Sequence, residues 1–114
     1  MCIRDSSTHV LDTARGLPAA GVPVTLSRRE ATGAWSLVGD GITDDDGRVR
    51  GLSDEPLVAG DYRLEFDTAA YFKVAGMAAF YPEVLVVFKV TDPGAHHHVP
   101  LLLSPFGYST YRGT

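Results

Sequence analysis

Three consecutive histidines form the stretch of this sequence best suited to chemistry. They are His96, His97 and His98, and a fourth histidine, His9, lies near the start of the chain. On a β-strand successive side chains point to opposite faces, so His96 and His98 share one face and His97 lies on the other. An imidazole titrates near neutral pH and can act as a general base or as a metal ligand. The pattern leaves three alternatives open: a catalytic pocket, a metal site, or solvated histidines on a strand.

A zinc site could be assembled from the imidazoles of His9, His96 and His98. The single cysteine is Cys2, and no carboxylate obviously completes the ligand set. Residues 44–47 read DDDG, but they lack the distant bidentate glutamate of an EF-hand calcium loop and are more typical of a tight turn. We therefore predict that the protein uses no metal ion and no other cofactor.

Two further segments carry groups that could bind a flat, polar ligand. Arg48 follows the acidic turn, and its guanidinium presents a planar fork of hydrogen-bond donors. The chain ends in Tyr111, Arg112, Gly113 and Thr114. A disposable terminal segment is usually small and polar. An aromatic ring and a guanidinium at this end therefore indicate a segment with a function.

The segments that must position these groups alternate between apolar and other residues with a period of two. Val22, Val24 and Leu26 are separated by proline, threonine and, after Leu26, serine, and residues 62–66 repeat the pattern. Residues 84–90 are nearly all β-branched or aromatic, as expected for a strand covered on both faces. Further strands are predicted over residues 35–42, 96–103 and 108–111. Short strands at roughly ten-residue spacing predict a β-sandwich or barrel.

One segment breaks the alternation and predicts a short helix over residues 68–75. Asp67 or Thr68 can cap its beginning, and Gly76 can end it. The chain has 114 residues, of which 45% are hydrophobic and 21% charged, so a single domain with one core is expected. A core of this size leaves little margin for stability, which favours an oligomer.

The charge balance argues against nucleic acid as a partner, because the net charge is −4 and the ten basic residues form no cluster. No apolar run is long enough to predict a membrane span, and no signal peptide is evident. Residues 1–6 lack periodicity, so we expect a leader that is disordered or not native. Because Cys2 cannot form an internal disulfide, we expect a cytoplasmic protein, with a periplasmic or peroxisomal location possible if the native N-terminus differs.

Three motifs together resemble those of the 5-hydroxyisourate hydrolases of the transthyretin-related family. They are THVLD at residues 8–12, DGR at residues 46–48, and HHHVPLLLSP at residues 96–105 running into YSTYRGT at residues 108–114. The terminal motif separates these enzymes from the hormone-carrying transthyretins. Thr114 stands where the family pattern ends in serine, which keeps the hydroxyl and adds a methyl group. His97 falls where the family often has an aromatic residue.

The resemblance implies an all-β, transthyretin-like β-sandwich of two four-stranded sheets with one short helix, spanning residues 7–114. It implies a homotetramer whose active sites lie in a channel where subunits meet. The implied reaction belongs to urate degradation: water opens the six-membered ring of 5-hydroxyisourate at an amide-like bond. The product would be 2-oxo-4-hydroxy-4-carboxy-5-ureidoimidazoline, and no cofactor would be needed.

The resemblance also implies the roles of individual residues. The implied catalytic residues are His9, Arg48, His98 and Thr114. The implied substrate-binding residues are His9, Arg48, Tyr111 and Arg112. The general base would be His98 or His9, and we favour His98, with His9 sharing the proton network. Arg48 would stabilise the negative charge that develops during attack.

Two other functions are compatible with the sequence. One is a non-enzymatic carrier of the transthyretin type that binds a flat aromatic ligand. His9, His98 and the terminal segment argue against it, because they would narrow such a channel and make it polar. The other is a structural β-sandwich module, which the generic turn pattern supports, although such modules normally occur within longer secreted chains.

Overall fold

The computed structural model describes residues 6–53, 55–93 and 95–113. The elements in these ranges are β1 (Ser6–Asp12), β2 (Leu17–Pro18), β3 (Pro23–Arg29), β4 (Trp35–Ile42), β5 (Arg48–Arg50), β6 (Gly60–Phe66), α1 (Thr68–Ala75), β7 (Val84–Val90), β8 (His97–Ser104) and β9 (Gly107–Thr110). One sheet has the order β2-β1-β8-β9 with β5 also paired to β1, and the other has the order β4-β3-β6-β7. The predicted all-β fold of two sheets with one short helix is confirmed. The first sheet has five strands instead of the predicted four, because the two-residue β2 folds back onto the end of β1.

The core lies between the two sheets and is built by alternating side chains. Val10 and Leu101 enter it from the first sheet, and Leu26, Leu64 and Phe66 enter it from the second. Each of these side chains is at most 1% exposed. Burial of a side chain of this size stabilises the fold by about 1.5 to 3 kcal/mol. The alternation that predicted these strands therefore reflects one face packed on the core and one face turned outward.

The central strand of the first sheet, β1, was not identified by the sequence pattern. It runs parallel to β8 and antiparallel to β5. Its burial alternates, with Thr8 and Val10 inside and Ser7 and His9 on the outer face. The parallel pair of β1 and β8 joins residues about ninety positions apart in the chain. Such a pair cannot be closed by a short turn. This strand brings the first and last segments of the chain together.

The helix α1 has the ends that the sequence predicts. Asp67 is its N-cap and accepts a 3.2 Å hydrogen bond from the backbone N–H of Ala70. Gly76 ends the helix in the left-handed conformation, with φ of 74°. Tyr71 and Phe72 face the core. Neither α1 nor any other helix of the described residues is long and apolar enough to cross a membrane.

The structure differs from two expectations, one about β7 and one about residues 1–6. The prediction that residues 84–90 are covered on both faces is wrong for the single chain, because none of the described residues covers the outer face of β7, where Leu85 and Val87 are 43% and 53% exposed. Residues 1–5 of the expected leader and Thr114 lie outside the described residues. Ser6 is buried and begins β1, so it belongs with the sandwich.

Candidate functional site

The outer face of the first sheet brings together His9 and Arg48. The two residues lie opposite each other in the antiparallel pair of β1 and β5. The Nε2 atom of His9 lies 2.9 Å from the carbonyl oxygen of Asp46. Because a carbonyl oxygen only accepts, Nε2 must carry the hydrogen, and in the neutral ring Nδ1 holds the lone pair. The Arg48 guanidinium makes no ion pair with any described carboxylate, so its charge is available for a ligand.

The acidic turn before β5 places Arg48 at this position. The Oδ1 atom of Asp44 accepts hydrogen bonds from the backbone N–H groups of Asp46 and Arg48, at 2.9 and 3.0 Å. Gly47 has φ of 77°, and a Cβ atom there would stand 2.4 Å from the carbonyl oxygen of Val10. The DDDG sequence is therefore a tight turn packed against β1, as predicted, and it delivers Arg48 to the outer face.

His98 lies on the same outer face, on the other side of β1. Its parallel partner is Ser7, whose Oγ lies 2.8 Å from His98 Nδ1. Burial of the imidazole lowers the pKa of His98 below its ordinary value of 6.5, and the positive charge of Arg48 lowers it further. Smaller contributions come from His96 and His9. A ring in this environment is neutral at neutral pH, which is the state required of a general base.

The end of the chain packs directly on His98. The backbone N–H of Gly113 donates a 2.9 Å hydrogen bond to the carbonyl oxygen of His98, and the two residues form an antiparallel bridge. A Cβ atom on Gly113 would stand only 2.5 Å from Cδ2 of the His98 ring. The terminal segment is therefore part of the sheet, and glycine is the residue that allows its backbone to lie against the imidazole.

Tyr111 and Arg112 lie on the far side of His98 from Arg48. They line a cleft of about 310 Å³ between β7 and the end of β9. Its walls are formed by residues 86–89, 97–99 and 110–112. His98 lines this cleft, whereas His9 and Arg48 do not. The predicted site residues that the structure describes therefore form two groups that meet at His98.

The other two histidines divide between the faces as predicted. His97 points inward, is 7% exposed, and its ring lies 6.4 Å from that of Phe88. His96 stacks on His98, with centroids 6.4 Å apart and planes 13° from parallel. The described residues contain no group of three His, Cys, Asp or Glu side chains placed to hold a metal ion.

Sequence reasoning missed two residues of this site, Ser7 and Gly113. Ser7 precedes His9 by two positions, so the period of a strand places both on one face, but β1 itself was not recognised. Gly113 belongs to the terminal motif that was singled out, and its role depends on the pairing with β8. The predicted Thr114 lies outside the described residues.

Comparisons with known proteins identify the family of this chain. Residues 6–113 match the sequence model of the HIUase/Transthyretin family. The 5-hydroxyisourate hydrolase of Mus musculus is 49% identical over 110 residues, which cover 95% of this chain and 93% of the mouse protein. The structure of the Klebsiella pneumoniae 5-hydroxyisourate hydrolase superposes with a TM-score of 0.85 and 38% identity, covering 96% of this chain and 98% of that one.

A transthyretin from Sparus aurata has the same fold. Its structure superposes with a TM-score of 0.88 and 36% identity, and the match covers 96% of each chain. The predicted transthyretin-like architecture is thus confirmed by both enzymes and transthyretins. The chain belongs to the HIUase/Transthyretin family.

Proposed function

We propose that this chain is an enzyme that hydrolyses 5-hydroxyisourate to 2-oxo-4-hydroxy-4-carboxy-5-ureidoimidazoline in urate degradation. The observation that carries the proposal is the placement of a part-buried His98 imidazole, with a lowered pKa, between Arg48 and the terminal segment. The relatives named as 5-hydroxyisourate hydrolases support the choice of substrate.

In the proposed reaction His98 acts as the general base. Its neutral imidazole takes a proton from water as the water oxygen attacks the amide-like carbonyl carbon of the six-membered ring. The ring C–N bond then breaks, and the leaving nitrogen takes the proton back from the imidazolium. The carboxylic acid formed on the product releases the second proton of the water to solvent and becomes a carboxylate. A positioned general base contributes about 10² to 10⁴ in rate. His9, with its lone pair on Nδ1, shares the proton network.

Arg48 stabilises the charge that the attack creates. When water adds to the carbonyl group, negative charge develops on the carbonyl oxygen. A guanidinium that no described carboxylate neutralises can donate two hydrogen bonds to that oxygen or to a neighbouring urate-like oxygen. Burial lowers the pKa of His98 most, and the charge of Arg48 lowers it further, so Arg48 supports both the neutral base and the oxyanion.

The terminal segment binds the flat heterocycle. Tyr111 is 58% exposed and Arg112 is also exposed in the single chain, beside the cleft that His98 lines. We assign both to substrate binding and assign a catalytic hydroxyl to Thr114. The proposed steps need neither a metal ion nor a cofactor.

The protein is proposed to work as a homotetramer. Both β7 and β9 are edge strands, and an exposed edge presents unpaired backbone groups to another chain. Leu85 and Val87 add exposed apolar surface on β7. In one chain His9 and Arg48 lie on one side of His98, and Tyr111 and Arg112 lie on the other. We therefore propose that residues of a second subunit complete the site. Light scattering at micromolar concentration should give the mass of four 12.2 kDa chains, whereas the mass of one chain would contradict the proposal.

We place the reaction in the cytoplasm, because a single cysteine cannot form an internal disulfide and nothing in the site requires an oxidising compartment. The partners proposed are the small-molecule substrate and further copies of the chain, without nucleic acid or membrane. Cell fractionation of the native host with an antibody to this protein would test the location.

The experiment that tests the function follows 5-hydroxyisourate generated from urate. Carbon-13 NMR with labelled urate should show the ring-opened carboxylate forming faster with the protein than in buffer, over many turnovers per chain. A transthyretin-type carrier would bind the heterocycle in proportion to its own concentration and leave the rate unchanged or lower. Failure to exceed the buffer rate would therefore favour the carrier.

A further inference from the structure

The hydroxyl of Ser7 lies between two imidazoles. Its Oγ is 2.8 Å from Nδ1 of His98 and 3.4 Å from Nε2 of His96. The two rings are nearly parallel, with planes 13° apart. Ser7 and His98 are direct partners in the parallel pair of β1 and β8, so the backbone fixes their separation. This places one hydroxyl in contact with Nδ1 of His98, so Nε2 is the ring nitrogen left to take a proton from water.

The single hydroxyl proton of Ser7 restricts which hydrogen bonds it can make with the two rings. A serine hydroxyl has one proton to donate and two lone pairs that accept. It cannot donate to both rings. If Ser7 donates to His98 Nδ1, then His98 carries its hydrogen on Nε2 and has no lone pair there. If Ser7 instead accepts from His98 Nδ1, the lone pair lies on Nε2, where it can take a proton from water.

We propose that Ser7 is a positioning residue that accepts a hydrogen bond from Nδ1–H of His98 and so keeps the lone pair on Nε2. The hydroxyl proton of Ser7 then points to Nε2 of His96, so the chain of hydrogen bonds runs from His98 through Ser7 to His96. This inference rests on the proposed function, because it gives His98 the role of base. It adds a residue that acts through His98 and not on the substrate itself.

A purely structural role for this hydrogen bond is the alternative. However, β1 and β8 are already paired in parallel over seven successive residues, from Ser6↔His97 to Asp12↔Leu103. One side-chain hydrogen bond on the outer face adds little to that ladder. Its main effect falls on the orientation and tautomer of the His98 ring, because rotation of the ring would break it. In other functional imidazoles, such a partner on the second nitrogen sets which nitrogen is protonated.

The test uses the tautomer of His98 in the free protein. Protein labelled with nitrogen-15 histidine is examined at neutral pH by long-range proton–nitrogen correlation, and the His98 signals are identified by their loss in His98→Gln. We expect the Nδ1–H tautomer in the natural sequence and in Ser7→Thr, which keeps the hydroxyl. In Ser7→Ala we expect the Nε2–H tautomer to become populated.

The same variants give a kinetic readout. Ser7→Ala should lower kcat for 5-hydroxyisourate by roughly 10- to 100-fold with little change in KM, the loss typical for the partner of a functional imidazole. Ser7→Thr should retain most of kcat. Ser36→Ala, on strand β4 of the other sheet, is the matched serine-to-alanine control and should change neither readout.

Two results would overturn the positioning role: the Nε2–H tautomer at His98 in the natural sequence, or an unchanged tautomer and kcat in Ser7→Ala. Absence of turnover by the natural sequence would instead overturn the proposed function. Because the tautomer is measured without substrate, these two failures are distinguishable.

Discussion

The backbone N–H of Gly113 donates a 2.9 Å hydrogen bond to the carbonyl oxygen of His98, and the α-carbon of Gly113 lies against the His98 ring. The bridge between the two residues keeps the register of the β8–β9 pair, in which Leu101 faces Thr110. The terminal segment therefore extends β9 along the strand that carries the proposed base. This relationship predicts that the last residues affect catalysis more than stability.

Gly113→Ala should lower kcat/KM by about 10-fold or more. A Cβ atom at this position would stand 2.5 Å from Cδ2 of His98, so the ring or the terminal segment must move, and small displacements of catalytic groups can cost up to about 10² in rate. Gly107→Ala is the matched control, because a Cβ atom there meets only Ser104 Oγ at an ordinary 3.7 Å. Steady-state kinetics of the two variants would show the contrast. Equal kinetics for Gly113→Ala and the natural sequence would mean that the segment does not position His98.

Arg48→Lys should be severe although the charge is kept. A compact ammonium cannot reproduce the two-point hydrogen bonding of a guanidinium, and the loss of a donor to a developing oxyanion costs roughly 10² to 10³ in kcat. Arg50→Lys is the control: this exposed neighbour on β5 lies 3.9 Å from Asp44 and faces the same side of the sheet. If the lysine variant at position 48 has unchanged kcat/KM, Arg48 is only a turn residue.

Activity should fall as the pH is lowered through the pKa of His98. That pKa lies below the ordinary 6.5 because burial and the charge of Arg48 disfavour the imidazolium, so the base stays neutral to a lower pH than a free histidine. Unfolded His98 binds a proton at a higher pH than folded His98, so the free energy of unfolding should also decrease as pH falls through this window. An NMR titration of His98 checks the pKa directly. A midpoint at or above 6.5 would contradict the assigned environment.

Tyr71→Phe should destabilise the fold without changing the chemistry. The Tyr71 hydroxyl donates a 2.6 Å hydrogen bond to the fully buried carboxylate of Asp12. Burial alone would raise the pKa of Asp12, but hydrogen bonds from Tyr71 and Arg15 lower it overall. Loss of one donor to a buried acceptor costs about 1 to 3 kcal/mol. Urea denaturation should therefore show a lower midpoint than for Tyr81→Phe, a change at a half-exposed ring; equal midpoints would argue against a role for this contact.

The sequence predicted correctly those strands and helix ends that are determined by neighbouring residues. The alternation at Val24 and Leu26 and the caps at Asp67 and Gly76 each depend on a few neighbouring residues, and the structure has them where they were expected. The coverage of the outer face of β7 was predicted wrongly for the single chain, because an apolar run does not show whether another layer packs on that face.

The site depends on pairings between distant parts of the chain. Nothing local indicates that Ser7 faces His98 or that Gly113 lies on its ring, because both contacts arise from the parallel pair of β1 and β8 and from the return of the terminal segment. The resemblance to the family supplied His9, Arg48 and His98 together, and the structure adds that one outer face carries all three.

The most direct measurement compares the decay of 5-hydroxyisourate, followed by its absorbance, with the natural sequence and with His98→Gln at equal concentrations. We predict that the natural sequence accelerates the decay over many turnovers and that the variant, with its sandwich intact by circular dichroism, loses about 10² to 10⁴ of kcat. If His98→Gln hydrolyses 5-hydroxyisourate as fast as the natural sequence, His98 is not the base and the mechanism proposed here is wrong.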